Sequence, residues 1–287
     1  MVGKKLVRNI IFAVGFVLCS YPLASNIIEG FYQKDAVATY NQAVSSTSTE
    51  SLEENLKKGE EYNNVLFSQK NVSLESGNSG DTSILGEESY ESILNMGNGV
   101  IGSIEIPKIS VNLPIYHGTS DDVLSVGVGH VYGSSFPIGG TNTRSILTGH
   151  RGLPNAKLFT RLDEIVDGDL FFIRVLNRTL AYKVSDIMVI KPDDIDSVDI
   201  VEGKDLVSLI TCTPYGVNTH RLVVTGERVP YVESEYTSIE SQAMSYREIL
   251  FASIPFIFGG AFIALKIKDA RKNKKKGDKG KDEVKEN

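Results

Sequence analysis

Residues 206–212 have the sequence LVSLITC, a mostly apolar run of the kind found in strands that are buried on both faces. The run ends at Cys212, and Pro214 and Gly216 force a loop just beyond it. Arg221 then begins a second apolar run. Two antiparallel strands joined by this loop would bring Cys212 and Arg221 to neighbouring positions. The pattern predicts a cysteine that is held rigidly at the end of a buried strand and can still be reached by a substrate.

Further short β-type runs, separated by Gly, Pro, Asp or Asn turns, follow Gly99. They are Ile101–Ile109, Val111–Tyr116, Ser145–Thr148, Leu170–Leu176, Leu180–Ile190, Leu206–Thr211 and Arg221–Arg228. One helical insert is predicted over Ala156–Ile165, with its apolar residues Leu158, Phe159, Leu162 and Ile165 on one face. These patterns indicate a mostly β domain, a barrel or a sandwich of roughly 130 residues.

Two apolar segments near the ends of the chain predict membrane helices. The segment from Asn9 to Ile28 is about one bilayer span long and follows Lys4, Lys5 and Arg8, which favours a cytoplasmic N-terminus. A cleaved signal peptide is the alternative. The segment from Ile249 to Ile267 is followed by a Lys- and Arg-rich tail, which the same rule keeps in the cytoplasm. The region between them is therefore predicted to be extracellular.

Composition and charge narrow the function classes. The 287 residues carry a net charge of -6, with no basic, aromatic-rich face, which argues against a nucleic-acid binder. Of the two cysteines, Cys19 lies inside the first apolar span, so Cys212 is an unpaired thiol in the exterior region. The four histidines lack zinc-ligand spacing, and the acidic residues near Asp193 lack the spacing of a calcium loop. No metal or cofactor is predicted.

Three side chains form a candidate catalytic set. Cys212 needs to become a thiolate, which a nearby imidazolium or guanidinium favours. His150, at the end of the run Ser145–Thr148, can supply that charge and then protonate a leaving amine. Arg221 offers a fixed fork of donors for a developing oxyanion. His220, His117 and His130 are predicted to be non-catalytic, the last two in turn-like segments.

The sequence motifs around these residues resemble those of the sortase family. Leu209-Ile210-Thr211-Cys212 with Arg221 is similar to the family's Thr-Leu-x-Thr-Cys…Arg pattern, and Thr148-Gly149-His150 is similar to its histidine motif. The likeness covers roughly residues 95–265. Within this range, longer segments look like the class C, pilin-polymerising branch. These segments are Ile104–Ile109, Leu113–Thr119, Gly127–His130 and Thr213–Arg221.

The resemblance implies a closed β-barrel of about eight strands and a cysteine transpeptidase. Such an enzyme cleaves an LPXTG-like sorting signal between Thr and Gly, forms a thioester on Cys212, and transfers the acyl group to a lysine of the next pilin subunit. His150 is then the general acid and base, Arg221 the oxyanion or substrate contact, and Thr148 and Thr211 substrate-site residues. The implied partners are sorting-signal proteins, an acceptor pilin and a Gram-positive-type membrane.

The predicted organisation has seven segments. They are a cytoplasmic N-terminus (1–8), a transmembrane signal anchor (9–28), a helical and lid-like region (29–98), the catalytic barrel (99–230), a linker (231–248), a transmembrane helix (249–267) and a basic cytoplasmic tail (268–287). Class C sortases usually carry an Asp-Pro-aromatic lid over the cysteine. Here Asp81 occupies the Asp place, but the Pro and the aromatic residue are missing, so a degenerate lid is expected.

Other functions remain open at this stage. A sortase that anchors surface proteins to peptidoglycan would use a cell-wall amine instead of a lysine. A surface cysteine peptidase of papain-like type would hydrolyse its substrate and place a buried Asn or Asp behind His150. In a non-enzymatic membrane scaffold Cys212 would be inert.

Overall fold

The computed structural model describes residues 2–72, 83–194, 196–241 and 244–283. The chain divides into two compact units. One unit runs from Asn26 to Ala243, and the other combines the chain up to Ser25 with the chain from Met244 onward. The first helix contributes to both.

The larger unit contains eight strands and several helices. The strands are β1 (Val100–Ile106), β2 (Val111–His117), β3 (Val128–His130), β4 (Thr143–Thr148), β5 (Leu170–Val175), β6 (Arg178–Ile190), β7 (Asp205–Thr213) and β8 (His220–Val229). The helices of the whole chain are α1 (Val2–Ser46), α2 (Thr49–Val72), α3 (Glu87–Ser92), α4 (Asp121–Val126), α5 (Glu233–Ser238) and α6 (Tyr246–Glu283). Short 3₁₀ turns occupy Ser83–Leu85, Pro107–Ile109, Leu162–Glu164 and Asp196–Val198.

The eight strands close into a barrel in the order β1-β2-β3-β4-β7-β8-β6-β5. Two pairings, β2 with β3 and β4 with β7, are parallel, and the others are antiparallel. Closure leaves no unpaired sheet edge, and inward-facing apolar side chains fill the interior. Ile104, Leu147, Ile173 and Val224 are each 0% exposed. The predicted mostly β, closed-barrel fold is confirmed.

Helices α1 and α2 are joined to the barrel by buried hydrogen bonds. The Tyr40 hydroxyl donates to the Ile101 carbonyl at 3.0 Å and accepts from the Leu176 N–H at 2.8 Å. Asn63 of α2 exchanges two hydrogen bonds with the backbone of Phe136, at 3.2 and 2.7 Å. Since a buried polar group without a partner is costly, these contacts fix where the helices lie on the barrel.

Two secondary-structure predictions were wrong in part. The run Ile101–Ile109 is a strand only as far as Ile106, because Pro107 has no N–H for the sheet and starts a 3₁₀ turn. The helical insert Ala156–Ile165 is a series of turns with one 3₁₀ segment, since Leu158 has a φ of 40°, which no right-handed helix contains. The burial of Leu158, Phe159, Leu162 and Ile165 is nevertheless as expected, between 0 and 5% exposed.

The smaller unit contains two apolar helical segments. Helical residues Lys5–Ser46, of which those up to Ser25 belong to this unit, and Tyr246–Arg271 are candidate membrane spans by length and composition. Within this unit Arg8 pairs with Asp269 at 2.7 Å, and the Phe12 ring contacts the Phe262 ring with centroids 5.2 Å apart. Many of the large apolar side chains of these helices are exposed.

Candidate active site

Cys212 and Arg221 face each other across the β7–β8 pair. The antiparallel register aligns Cys212 with Arg221 and Thr211 with Leu222, so the neighbour relation predicted from the loop is present. Cys212 is partly exposed and free of a disulfide. It lies one residue before the end of β7, so the strand continues past the cysteine instead of ending at it.

The parallel β4–β7 pair brings His150 to the same end of the barrel. Thr148 pairs with Ile210, and Gly149 N–H donates to the Ile210 carbonyl at 3.1 Å. The Thr211 hydroxyl donates to the Gly149 carbonyl at 2.7 Å. His150 follows Thr148 by the same two residues by which Cys212 follows Ile210. The imidazole and the thiol therefore extend from adjacent strand ends.

Arg221 keeps part of its guanidinium available. Its Nη1 donates to the carbonyls of Asn218, at 3.3 Å, and His220, at 3.1 Å. Its Nε and Nη2 have no hydrogen-bond partner in the described part of the chain. Two such donors of a guanidinium can bind a substrate carbonyl or an oxyanion.

The loop after His150 contacts the loop after Cys212 through Arg151. This arginine pairs with Asp163 at 2.5 Å, donates to Thr213 Oγ1 at 3.4 Å and lies 5.6 Å from the centroid of the Tyr215 ring. The peptide bond between Thr213 and Pro214 is cis. Sequence reasoning missed Arg151, because contacts between separate loops leave no spacing pattern. The only available signal was its place directly after His150.

The remaining predicted site residues are placed as follows. Thr148 directly precedes Gly149, and Thr211 is bonded to the Gly149 carbonyl through its hydroxyl. The Thr148 hydroxyl donates to the Ile210 carbonyl at 3.3 Å. Asp81 falls outside the described residues. His220 is partly exposed and its Nδ1 lies 2.9 Å from the Thr219 hydroxyl.

His117 and His130 end strands β2 and β3 instead of lying in turns, which corrects that expectation. His130 is 0% exposed, its ring stacks on Phe136, and its Nδ1 lies 2.9 Å from the Tyr90 hydroxyl. Burial lowers the pKa of His130 to about 4 and also lowers the pKa of His117. Tyr90 belongs to α3, so this cluster attaches the segment before β1 to the barrel.

The surroundings of His150 and the grouping of possible metal ligands bear on a papain-like peptidase and on a metal site. No Asn or Asp side chain among the described residues is hydrogen-bonded to the His150 imidazole, so the partner that a papain-like peptidase needs is not supplied there. Among the described residues there is also no group of three or more His, Cys, Asp or Glu side chains that could hold a metal ion.

Comparison with known proteins identifies the barrel. A family model described as the sortase domain matches residues 104–229. Sortase C1 from Streptococcus agalactiae has 42% identity and a TM-score of 0.61, covering 69% of this chain and all of that structure. Sortase C from Streptococcus pneumoniae, whose structure is described as informative about catalysis and pilin substrate specificity, has 37% identity and a TM-score of 0.58, covering 69% of this chain and 97% of that structure.

A curated relative gives a shorter match. Sortase D from Bacillus subtilis is 32% identical over 131 residues, which is 45% of this chain and 63% of that protein. The chain thus spans a little under two thirds of this relative and almost the whole of the two sortase C structures. A barrel of this topology with these levels of identity settles the family: the chain belongs to the sortases, and its structural relatives are sortases of class C.

Proposed function

We propose that the chain is a cysteine transpeptidase that joins pilin subunits through an LPXTG-like sorting signal. The observation that carries the proposal is the strand register, which brings three residues to the same end of the barrel. Cys212 is paired with Arg221 across β7 and β8, and His150 extends from the adjacent end of β4. These residue types match the acyl-transfer chemistry of the family.

The first half-reaction forms a thioester. The Cys212 thiolate attacks the carbonyl carbon of the signal's threonine, and the negative charge that develops on the carbonyl oxygen is stabilised by the free donors of Arg221. Protonated His150 gives its proton to the nitrogen of the departing glycine as the peptide bond breaks. The products are an acyl-Cys212 thioester and a peptide with a free amine.

The second half-reaction forms a new amide bond. A lysine amine of the acceptor loses a proton to neutral His150 and attacks the thioester carbonyl. The carbon–sulfur bond then breaks, which restores the Cys212 thiolate and the protonated His150. Both half-reactions use the same oxyanion position, so Arg221 serves in each.

The class C likeness supports pilin subunits as substrates and a lysine of the next subunit as the acceptor. The two candidate spans support a membrane-attached enzyme. The positive residues that flank them favour cytoplasmic termini and an extracellular barrel, with residues 9–28 and 249–267 in the bilayer. The barrel would then work at the outer face, where exported pilins arrive.

The proposal is tested with the full-length protein in detergent. Incubation with a sorting-signal peptide is expected to give a mass adduct equal to the peptide up to its threonine, located on Cys212. Cys19→Ser is the matched control, because Cys19 lies in the apolar helix and its loss should leave the adduct unchanged. Cys212→Ala should abolish the adduct, and so should His150→Ala within the time of the assay.

The acceptor distinguishes the alternatives. Addition of a pilin fragment with a reactive lysine should give an isopeptide-linked product faster than addition of an oligoglycine or another cell-wall amine. Preference for the wall amine would indicate an anchoring sortase, and release of free acid without any amine product would indicate a peptidase. A Cys212 that neither forms an adduct nor reacts with iodoacetamide would refute the enzyme assignment.

A further inference from the structure

A buried arginine directly after His150 links the two halves of the site. Arg151 is 8% exposed although it carries a full charge. Its Nη2 lies 2.5 Å from Asp163 Oδ2, on the segment that follows His150. Its Nη1 donates to Thr213 Oγ1, one residue after Cys212. Its guanidinium carbon lies 5.6 Å from the centroid of the Tyr215 ring, in the loop between β7 and β8.

Backbone pairing between these two segments stops before the catalytic residues. Thr148 and Ile210 are the last paired residues of β4 and β7, and Gly149 N–H adds one more bond to Ile210. In the described residues no later backbone hydrogen bond joins the two segments. Cys212 and Thr213 are held by their pairing with β8, so side chains have to fix the loop that carries His150 relative to this end of β7. Arg151 contacts both segments.

Gly152 allows the loops to come this close. Its φ is 80°, a conformation that glycine adopts without strain, and an added Cβ would lie 3.2 Å from atoms of the Tyr215 ring. The Tyr215 ring therefore packs closely against the loop that follows His150. The contacts between the two segments thus include the Arg151 guanidinium, its hydrogen bond to Thr213 and the ring of Tyr215.

We propose that Arg151 is a positioning residue that sets the geometry between the His150 imidazole and the Cys212 thiol. The inference rests on the proposed roles of those two residues. A guanidinium is a planar fork that can pair with Asp163, donate to Thr213 and lie against Tyr215 at once, whereas a lysine is a single point charge. Displacement of a catalytic group by about 1 Å can slow a reaction about 100-fold.

The test compares two arginines of the same segment. Arg151→Lys in the full chain in detergent should lower kcat for thioester formation by about 100-fold and change KM by less than about twofold. The matched control is Arg161→Lys. Arg161 is 5% exposed and pairs with Glu164 at 2.8 Å, so its replacement perturbs a similarly buried ion pair. The control should keep kcat within about threefold of the parent.

The second readout reports the thiol and needs no substrate. The rate of Cys212 alkylation by iodoacetamide is measured against pH in a Cys19→Ser background. Arg151→Lys should shift the profile towards that of His150→Ala, because the first variant displaces the imidazole from the thiol and the second removes it. A purely structural role would lower Tm and leave the profile unchanged. Tyr215→Leu, at a residue that is 49% exposed, should shift the profile in the same direction without unfolding the protein.

The outcomes separate the two proposals. Equal kcat values and equal alkylation profiles for Arg151→Lys and Arg161→Lys would overturn the positioning role. If the parent protein forms no thioester, the transpeptidase proposal fails, while the alkylation profiles still test whether Arg151 aligns His150 with Cys212. A profile for both Arg151→Lys and Tyr215→Leu that matches the parent would refute the inference even where the proteins are less stable.

Discussion

Lowering the pH from 7.5 to 3.5 is expected to destabilise the barrel through one buried imidazole, that of His130. The ring is 0% exposed and stacks on Phe136 at a centroid distance of 5.1 Å. Its Nε2 lies 2.9 Å from the Ser135 carbonyl and its Nδ1 lies 2.9 Å from the Tyr90 hydroxyl. The neutral ring is thus accommodated, and a charged ring would have to give up its hydration inside an aromatic cluster.

The magnitude follows from the pKa. Burial lowers the pKa of His130 from 6.5 to about 4, so between these two values the unfolded chain binds a proton that the folded chain does not. The stabilising contribution is complete above pH 6.5, decreases as the pH falls, and is lost below about pH 4. It corresponds to about 3 kcal/mol of unfolding free energy.

The assay is chemical unfolding of the full-length protein in detergent at several pH values. Carboxylates also titrate in this range, so the relevant quantity is the difference between the parent and His130→Gln. That difference should shrink by about 3 kcal/mol between pH 7.5 and pH 3.5. His220→Gln, at a partly exposed histidine whose Nδ1 lies 2.9 Å from the Thr219 hydroxyl, is the control for the replacement of an imidazole outside the buried aromatic cluster.

A direct titration covers the case in which His130→Gln does not fold. The His130 ring protons, followed by NMR in the parent protein, should show no midpoint above about pH 5. A midpoint near 6.5, or a parent-minus-variant difference that stays constant within about 1 kcal/mol across the range, would refute the reasoning from burial.

Three further predictions concern the site and its support. Arg221→Ala should lower kcat for thioester formation by about 10²- to 10³-fold, with Arg221→Lys in between, because the proposed oxyanion donor is lost. Single-turnover kinetics measure this change. Tyr40→Phe should reduce the unfolding free energy by about 2 kcal/mol, since it leaves a buried backbone N–H without its acceptor, whereas Tyr32→Phe, at a 66% exposed ring, should have no measurable effect. Gly152→Ala should reduce both Tm and thioester formation more than Gly216→Ala does, because both glycines have positive φ but only the first would place its methyl group 3.2 Å from a tyrosine ring.

The part of the site closest to the central strand was predictable. The apolar run before Cys212 and the loop residues Pro214 and Gly216 gave the strand, the turn and the antiparallel return at Arg221. Each of these depends on local pattern, which a single sequence contains. The register that aligns Cys212 with Arg221 then follows from the length of the loop.

The errors arose where distant contacts override local preference. Helical spacing is present in four apolar residues, Leu158, Phe159, Leu162 and Ile165. All four are buried in the structure, but the segment that carries them is irregular and has a positive φ at Leu158. Strand β3 was missed because it has three residues, too few to show alternation, and is held by parallel pairing with β2. Arg151 was missed because its partners Thr213 and Tyr215 lie far along the chain.

Family likeness supplied what pattern could not. The choice between a barrel and a sandwich, and the assignment of His150 as the partner of Cys212, both depended on motifs. In the structure the reason is the parallel β4–β7 pair, a long-range relation that no local window contains. The Asp81 prediction falls outside the described residues and stays a prediction.

The β4–β7 pairing also bears on the order in which the parts of the site form during folding. Thr148 and Ile210 are separated by 62 residues, so their meeting requires closure of a long loop, and contacts of this kind form slowly. Arg221 arrives later still, on the last strand. While the barrel is incomplete, Cys212 is therefore expected to lack its neighbours His150 and Arg221, and its reactivity should rise only when the barrel closes. Pulse labelling with iodoacetamide during refolding would follow that change.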